Sequence, residues 1–206
     1  MTTFDERAAE WDANPVRRDM TLALADAIMA RLALQGQETL LDYGAGTGIL
    51  ALKLRPRVGR VIAADSSRGM LDVLAAKVAG LGVPGIEPLL LDLEHDDAGP
   101  LRADVVVSTM ALHHVKDTGG LARKLFALLN PGGQIAVADL ETESGDFHDS
   151  MEGVHHRGFD RAALAAQFRD AGFHTVDTAI VYTVRKPRAG GVLKDYPILL
   201  LTGRRP

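Results

Sequence analysis

The stretch Leu40-Leu41-Asp42-Tyr43-Gly44-Ala45-Gly46-Thr47-Gly48-Ile49-Leu50 runs from an apolar strand through three alternate glycines into a helix. Seventeen residues beyond Gly48 a second apolar strand, Arg60-Val61-Ile62-Ala63-Ala64, ends on Asp65. Glycines at such a turn admit positive φ and let a ligand approach bare backbone. An acid at the next strand tip suits the vicinal diol of a ribose. Together these features describe a site for a nucleoside cofactor.

The spacing selects among such cofactors. Dinucleotide folds use G-x-G-x-x-G, with the pyrophosphate at the helix N-terminus. Here the third glycine comes one residue early, at Gly48, and Ile49 holds the dinucleotide position. Asp42, just ahead of the glycines, suits a cationic group, and glycine N–H groups near a helix start suit a carboxylate. S-adenosyl-L-methionine has a sulfonium, an ammonium and a carboxylate, and no pyrophosphate. It matches better than NAD(P).

With 206 residues, 47% hydrophobic and 24% charged, the chain reads as one globular domain over 1–206. A net charge of −4, with basic residues only in short pairs such as Arg17-Arg18, Arg185-Lys186 and Arg204-Arg205, argues against a nucleic-acid partner. There is no cysteine, so disulfides, thiolate metal sites and thiol nucleophiles are excluded. No apolar run approaches the ~20 residues of a membrane span, and Met1 to Asp12 lacks a signal-like core. A cytoplasmic protein acting on a small molecule is expected. Oligomeric state is not legible.

Phe4 to Trp11 reads as a short amphipathic helix. Asn14-Pro15 then caps and opens a helix to about Leu34, with Leu22, Ala25, Ile28 or Met29, and Leu32 on one face. Beyond it strand and helix alternate, the pattern of a parallel sheet covered on both faces. Strands are expected near 38–43, 60–65, 86–92, 103–109 and 134–140, and helices near 48–55, 67–81, 118–129 and 160–171. Pro88 puts the third strand at a sheet edge. Two late strands, about 174–185 and 196–203, are separated by too few residues for a crossover and form an antiparallel hairpin. In the first, Val176, Thr178, Ile180, Tyr182 and Val184 share a face. The second, through Ile198–Leu201, is buried on both faces.

The segments LLDYGAGTGIL, VIAADSSRGML, LLLDLE, ADVVVSTMALHHV and LLNPGGQIAVADLE, in that order, resemble a class I S-adenosylmethionine-dependent methyltransferase. The likeness covers nearly the whole chain and is nearest to small bacterial-type members of the Methyltransferase-11/25-like group. A later segment, FHDSMEGVHHRGFDRAALAAQFRDAGF, resembles the F-H-x(n)-V-H-H-x-G-F-D stretch of many members of that group. The resemblance implies a Rossmann-like, doubly wound α/β sheet of seven strands in the order 3-2-1-4-5-7-6, with strand 7 antiparallel. It implies that Gly44, Ala45, Gly46, Thr47 and Gly48 wrap the methionyl and ribose part, and that Asp65 binds the ribose. Ser66 and Met70 would flank the adenine, and Asp92 and Leu93 would bond it. Ser108, Thr109 and Met110 would end the fourth strand beside the transferred methyl. The N-terminal segment, 1–35, would close over the cofactor.

Methyl transfer is an in-line displacement at an activated carbon, and it requires alignment more than it requires a catalytic triad. A base is needed only where the acceptor loses a proton, and histidines are the candidates. His113 and His114 follow the fourth strand; capping of the next element near Asp117 is their structural alternative. His148, His155 and His156 lie in a loop over 141–158 expected to act as a substrate lid. His113, His114 and His156 are the candidate catalytic residues, and Trp11, His148, His155 and His156 the substrate candidates. The His148-Asp149 region fits no standard metal spacing, so no metal is assigned. His95 and His174 read as surface or edge residues. Two rival readings are a cofactor-binding protein without turnover and a nicotinamide-dependent oxidoreductase.

Overall fold

The computed structural model describes residues 3–188 and 191–206. Seven strands form one sheet: β1 Thr39–Tyr43, β2 Arg60–Asp65, β3 Ile86–Leu90, β4 Ala103–Thr109, β5 Leu129–Leu140, β6 His174–Pro187 and β7 Leu193–Arg204. Their order is β3-β2-β1-β4-β5-β7-β6, with β7 antiparallel to both neighbours and the other pairs parallel. The helices are α1 Thr3–Arg7, α2 Pro15–Arg31, α3 Ile49–Leu54, α4 Arg68–Leu81, α5 Thr118–Leu128 and α6 Arg161–Asp170. Among the described residues no helix is long and apolar enough to cross a membrane.

Side chains alternate across a strand, so a sheet covered on both sides needs two cores. Leu40, Val105, Val107, Ala136 and Leu200 pack with Leu24, Ile28, Leu50 and Leu54 on one face. Leu41, Val106, Ile135, Leu199 and Leu201 pack with Leu121, Leu125 and Phe168 on the other. Both cores meet in the central strands, which explains their near-continuous apolar sequences. Pro88 lies in β3, which pairs only with β2 and forms the sheet edge.

The structure corrects several boundaries. The Phe4–Trp11 element is not one helix: α1 ends at Arg7 and a 3-10 segment, Ala8–Ala13, continues it. Helix α2 ends at Arg31, and its buried face is Met20, Leu24, Ala25 and Ile28, with Leu22 only half-buried. Met20, Leu24 and Ile28 keep a four-residue spacing, and that ridge meets the sheet. Strand β3 stops at Leu90, so Asp92 stands in the following loop. Strand β5 begins early, at Leu129, because its Asn130–Gly133 stretch is tied to the residue that follows β7. There Gly132 N donates to Arg205 O (3.0 Å) and Arg205 N to Gly133 O (2.9 Å). In β6 an extra residue, Val181, falls between the pairs Ile180–Leu199 and Tyr182–Ile198. The alternation breaks at this bulge, and Ile180 is 39% exposed.

The parallel strands β1, β2 and β4 end on the same edge, and the order reverses between β1 and β4. Ligands of open α/β sheets bind at such a switch point.

Candidate active site

The loop after β1 has left-handed backbone at Gly44 (φ 76°), Gly46 (φ 54°) and Gly48 (φ 80°). These glycines have different reasons to be glycine. A Cβ on Gly44 would stand 2.4 Å from Ala111 Cβ, and one on Gly48 would stand 2.1 Å from Leu74 Cδ1. At Gly46 a Cβ would meet only Trp11 Nε1, at 3.9 Å. Close packing of protein on protein therefore accounts for two of the three. Gly46 is the one of the three whose Cβ position is open. Ala45 beside it is buried, and its N–H donates to Ala64 O (3.0 Å).

Two acids converge here. Asp65 accepts from Gly46 N (2.7 Å) through one oxygen and from Ser67 N (2.8 Å) through the other. Burial raises its pKa, and those backbone donors pull against the rise. Asp42, paired in register with Ala63 and Val107, is 1% exposed, and neither carboxylate oxygen has a hydrogen-bond partner. Burial, helped by the charge of Asp65 and opposed by the Ala51 backbone N–H, pushes its pKa up to about 8. A buried acid left unpaired is costly, and a cation beside it relieves that cost. An ammonium or sulfonium fits this place.

The N-terminal segment lies across the same loop. Asp12 accepts from Thr47 Oγ1 (2.5 Å) and from Lys77 Nζ (2.5 Å). Asp5 accepts from Ser67 Oγ (2.6 Å) and Gly69 N (2.8 Å) at the start of α4. The Trp11 ring meets Phe4 edge-on at 5.7 Å and lies 3.8 Å beneath the Arg17 guanidinium.

Beyond β4 the chain turns through Met110, whose φ of 55° is unusual for a residue with a side chain and marks stored strain. Ser108 is buried and donates to Tyr43 O (2.8 Å), tying the tips of β4 and β1 together. His113 is 2% exposed, and its Nδ1 lies 2.7 Å from Asp139 Oδ1. Asp139 Oδ2 also accepts from His113 N (3.1 Å). Burial opposes ionisation of Asp139, but the charge and hydrogen bonds of His113, with that of Leu140 N, outweigh it. The Asp139 pKa is held below the usual carboxylate value.

The His113 ring touches those of His114 (4.1 Å) and His148 (4.7 Å). Burial and the neighbouring His113 push the pKa of each down to about 4, so both are neutral at pH 7. His114 Nδ1 faces Gly153 O at 2.7 Å, which assigns the proton to that nitrogen and leaves Nε2 a lone pair. His148 Nε2 is buried without a partner. His155 and His156 both donate backbone N–H to His113 O (2.9 and 3.2 Å), and His156 Nε2 bonds Val115 O (2.9 Å). His155 is exposed. Among the described residues no three histidines or acids are arranged to hold a metal.

A methyltransferase-domain family model matches residues 16–178. The chain belongs to the methyltransferase family. An uncharacterised methyltransferase of Schizosaccharomyces pombe is 30% identical over 154 residues, covering 68% of this chain and 54% of that protein. The chain thus spans a little over half the length of that relative. Among solved structures, a Haloferax volcanii protein in complex with the Trm112 methyltransferase activator superposes with a TM-score of 0.79 at 23% identity, covering 100% of this chain and 99% of that one. Phosphoethanolamine N-methyltransferase 2 of Haemonchus contortus, in complex with S-adenosyl-L-methionine, gives 0.73 at 15% identity, covering 100% of this chain and 60% of that one. By family this is a methyltransferase domain, and its fold is that of these solved structures.

Within this methyltransferase, Asp42, Gly46, Thr47, Asp65 and Trp11 come together, and His113, His114 and His148 form a second group beside them. Other residues singled out in the sequence stand differently. Met70 is 2% exposed in the first turn of α4, Ser66 is exposed, and Leu93 is 1% exposed. Asp92 is turned on its own loop, accepting from Glu94 N (3.0 Å) and His95 Nδ1 (2.9 Å). His156 is anchored on Val115 and Phe159, which makes it a fastener of the 141–158 loop. Sequence reading missed Asp139, Asp5 and Asp12. Asp139 had a signal: an acid inside the otherwise apolar strand Ile135–Leu140. The other two act across the chain and had none.

Proposed function

We propose that the protein transfers the methyl group of S-adenosyl-L-methionine to a small-molecule acceptor. The observation that carries this reading is the buried Asp42 carboxylate, for which neither oxygen finds a full hydrogen bond, together with Asp65 at the neighbouring strand tip holding Gly46 N. Asp42 would face the cationic part of the cofactor and Asp65 its ribose. When bound, the cofactor supplies an electrophilic methyl. The chain aligns the acceptor and excludes water, and such positioning is worth ~7–11 kcal/mol. The N-terminal segment, held by Asp12 and Asp5, closes the cofactor side, and the 141–158 loop covers the acceptor side. His113, oriented by the ionised Asp139, takes the acceptor proton where one must leave, while His114 and His148 flank it as neutral rings.

Methyl transfer from labelled cofactor to a metabolite panel, read by mass spectrometry, tests the reading. S-adenosylhomocysteine stabilises the fold on heating, and NAD(P) does not. Stabilisation by NAD(P) alone overturns the proposal. Cofactor binding with no acceptor methylated favours a protein that binds without turnover. Asp65→Ala is expected to weaken S-adenosylhomocysteine binding by about 1–3 kcal/mol, the loss of buried charge-assisted bonds. It also lowers the melting temperature by a few degrees, because Gly46 N and Ser67 N lose their acceptor. Calorimetric titration showing unchanged affinity removes Asp65 from the ribose role.

A further inference from the structure

The 141–158 loop is fastened to the turn after β4 through histidines. His155 N (2.9 Å) and His156 N (3.2 Å) both donate to His113 O, His156 Nε2 meets Val115 O at 2.9 Å, and His114 Nδ1 meets Gly153 O at 2.7 Å. The ring of His148, which the loop carries, lies 4.7 Å from that of His113, 6.1 Å from that of His114 and 4.9 Å from that of Phe147. A further proton has no place in this junction. In a cationic imidazole both nitrogens carry N–H, yet His148 Nε2 is buried without a hydrogen-bond partner. Protonation would leave a charged donor there unpaired, which is costly.

The titratable groups facing His148 are His113 and His114 on the turn, Lys186 on β6 and Asp139 on β5. Those facing His114 are His113, Asp139 and His155. The acid in both sets is Asp139, and its carboxylate is already taken by His113 Nδ1 (2.7 Å), His113 N (3.1 Å) and Leu140 N (2.7 Å). Asp149, next to His148 in the chain, is exposed. Burial first and His113 second therefore outweigh the pull of Asp139 on both rings, and of Gly153 O on His114, and hold each pKa at about 4. Released into water, each ring returns to about 6.5.

We propose that this junction is an acid-sensitive latch: protonation of His148, with His114 beside it, unfastens the 141–158 loop and uncovers the acceptor side of the site. The inference rests on the methyl-transfer reading for what the loop covers, and its test needs neither cofactor nor acceptor. The fastened loop binds fewer protons than the free one, so fastening is full above about pH 6.5 and weakens as pH falls toward 4. Amide exchange of His155 and His156, resolved by NMR, reads the latch directly. After correction for the intrinsic pH dependence of exchange, both amides are expected to lose on the order of a hundredfold in protection between pH 7.5 and pH 5. The amides of β1 and β4 keep theirs. His148→Phe retains a ring against His113 and carries no titrating nitrogen, so it is expected to abolish at least about tenfold of that loss. His148→Gln, which also stays uncharged, does the same and serves should the phenylalanine variant fold poorly. His95→Phe, at a side chain 77% exposed on the loop after β3, leaves the loss unchanged. Equal protection at the two pH values, or a loss that both His148 variants keep in full, overturns the proposal. So does an equal loss in β1 and β4, which assigns the change to global unfolding. Acid release of the loop in a protein that binds no S-adenosylhomocysteine supports the latch and counts against the methyl-transfer reading alone.

Discussion

Asp42→Asn is expected to melt roughly 10 °C above the natural protein at pH 8 and about a third as far above it at pH 5, while binding the cofactor more weakly. The direction follows from linkage. Asp42 has a folded pKa of about 8 against 3.8 for the free side chain. The folded state therefore holds a proton that the unfolded chain releases, and stability falls as pH rises from about 4 to about 8. Each pKa unit is worth about 1.4 kcal/mol, so the whole shift is on the order of 5 kcal/mol. In a domain of this size each kcal/mol moves the melting temperature by about 2–4 °C. Asparagine keeps the shape and never ionises, so it lacks this pH dependence. Cofactor binding reports the same group with the opposite sign. A cation beside Asp42 requires the carboxylate ionised, so affinity for S-adenosylhomocysteine rises between pH 5 and 7, by up to about tenfold per unit. In Asp42→Asn that slope disappears. Melting curves and calorimetric titrations over this range check both halves. A mutant that is no more stable at pH 8, or that keeps the slope, shows that Asp42 is not the unpaired acid.

Much of this architecture was legible because local chemistry and global fold agree. Strand β4 spans Ala103–Thr109, built on the apolar run Val105–Val107 that follows Gly99-Pro100, and Asn14 caps α2 by accepting from Arg17 N (3.2 Å), as its place before Pro15 implies. The antiparallel hairpin followed from a connection too short for a crossover. What the chain did not reveal depends on contacts remote in sequence. Asp12 meets Lys77, and Asp5 meets Ser67, only because α4 has folded beneath the N-terminal segment. The Val181 bulge leaves the apolar alternation of β6 looking intact while turning Ile180 outward. The glycines are the subtlest case. The motif reads as a cradle for a ligand, yet Ala111 and Leu74 are what exclude a side chain at Gly44 and Gly48. Pattern alone treats the three glycines alike, and only packing separates Gly46, whose Cβ position is open, from the two that serve the fold.

Asp139→Asn is expected to cost about 3 kcal/mol of stability at pH 7 and to slow methyl transfer by about a hundredfold or more. Asp139 is fully buried and accepts from His113 Nδ1, His113 N and Leu140 N. An amide accepts through one atom only, so at least one of these donors is left facing an N–H. Breaking a buried pair by removing one partner is among the more damaging single changes. The folded pKa of Asp139 lies below its unfolded value, so its contribution is present above about pH 4 and fades as pH falls through the folded value. The stability deficit of Asp139→Asn in denaturant should therefore be complete at pH 7 and shrink below pH 4. Stability alone does not separate scaffold from chemistry, because His113 is also pinned by the backbone of His155 and His156. A double variant, His113→Leu with Asp139→Val, makes the separation. Replacing both side chains removes the ring donor but leaves the backbone N–H groups of His113 and Leu140 without their acceptor, so part of the lost stability returns, and if His113 takes the acceptor proton turnover stays low by the ~10²–10⁴ that a positioned base supplies. A double variant that is stable and turns over at the natural rate assigns the pair to the fold alone.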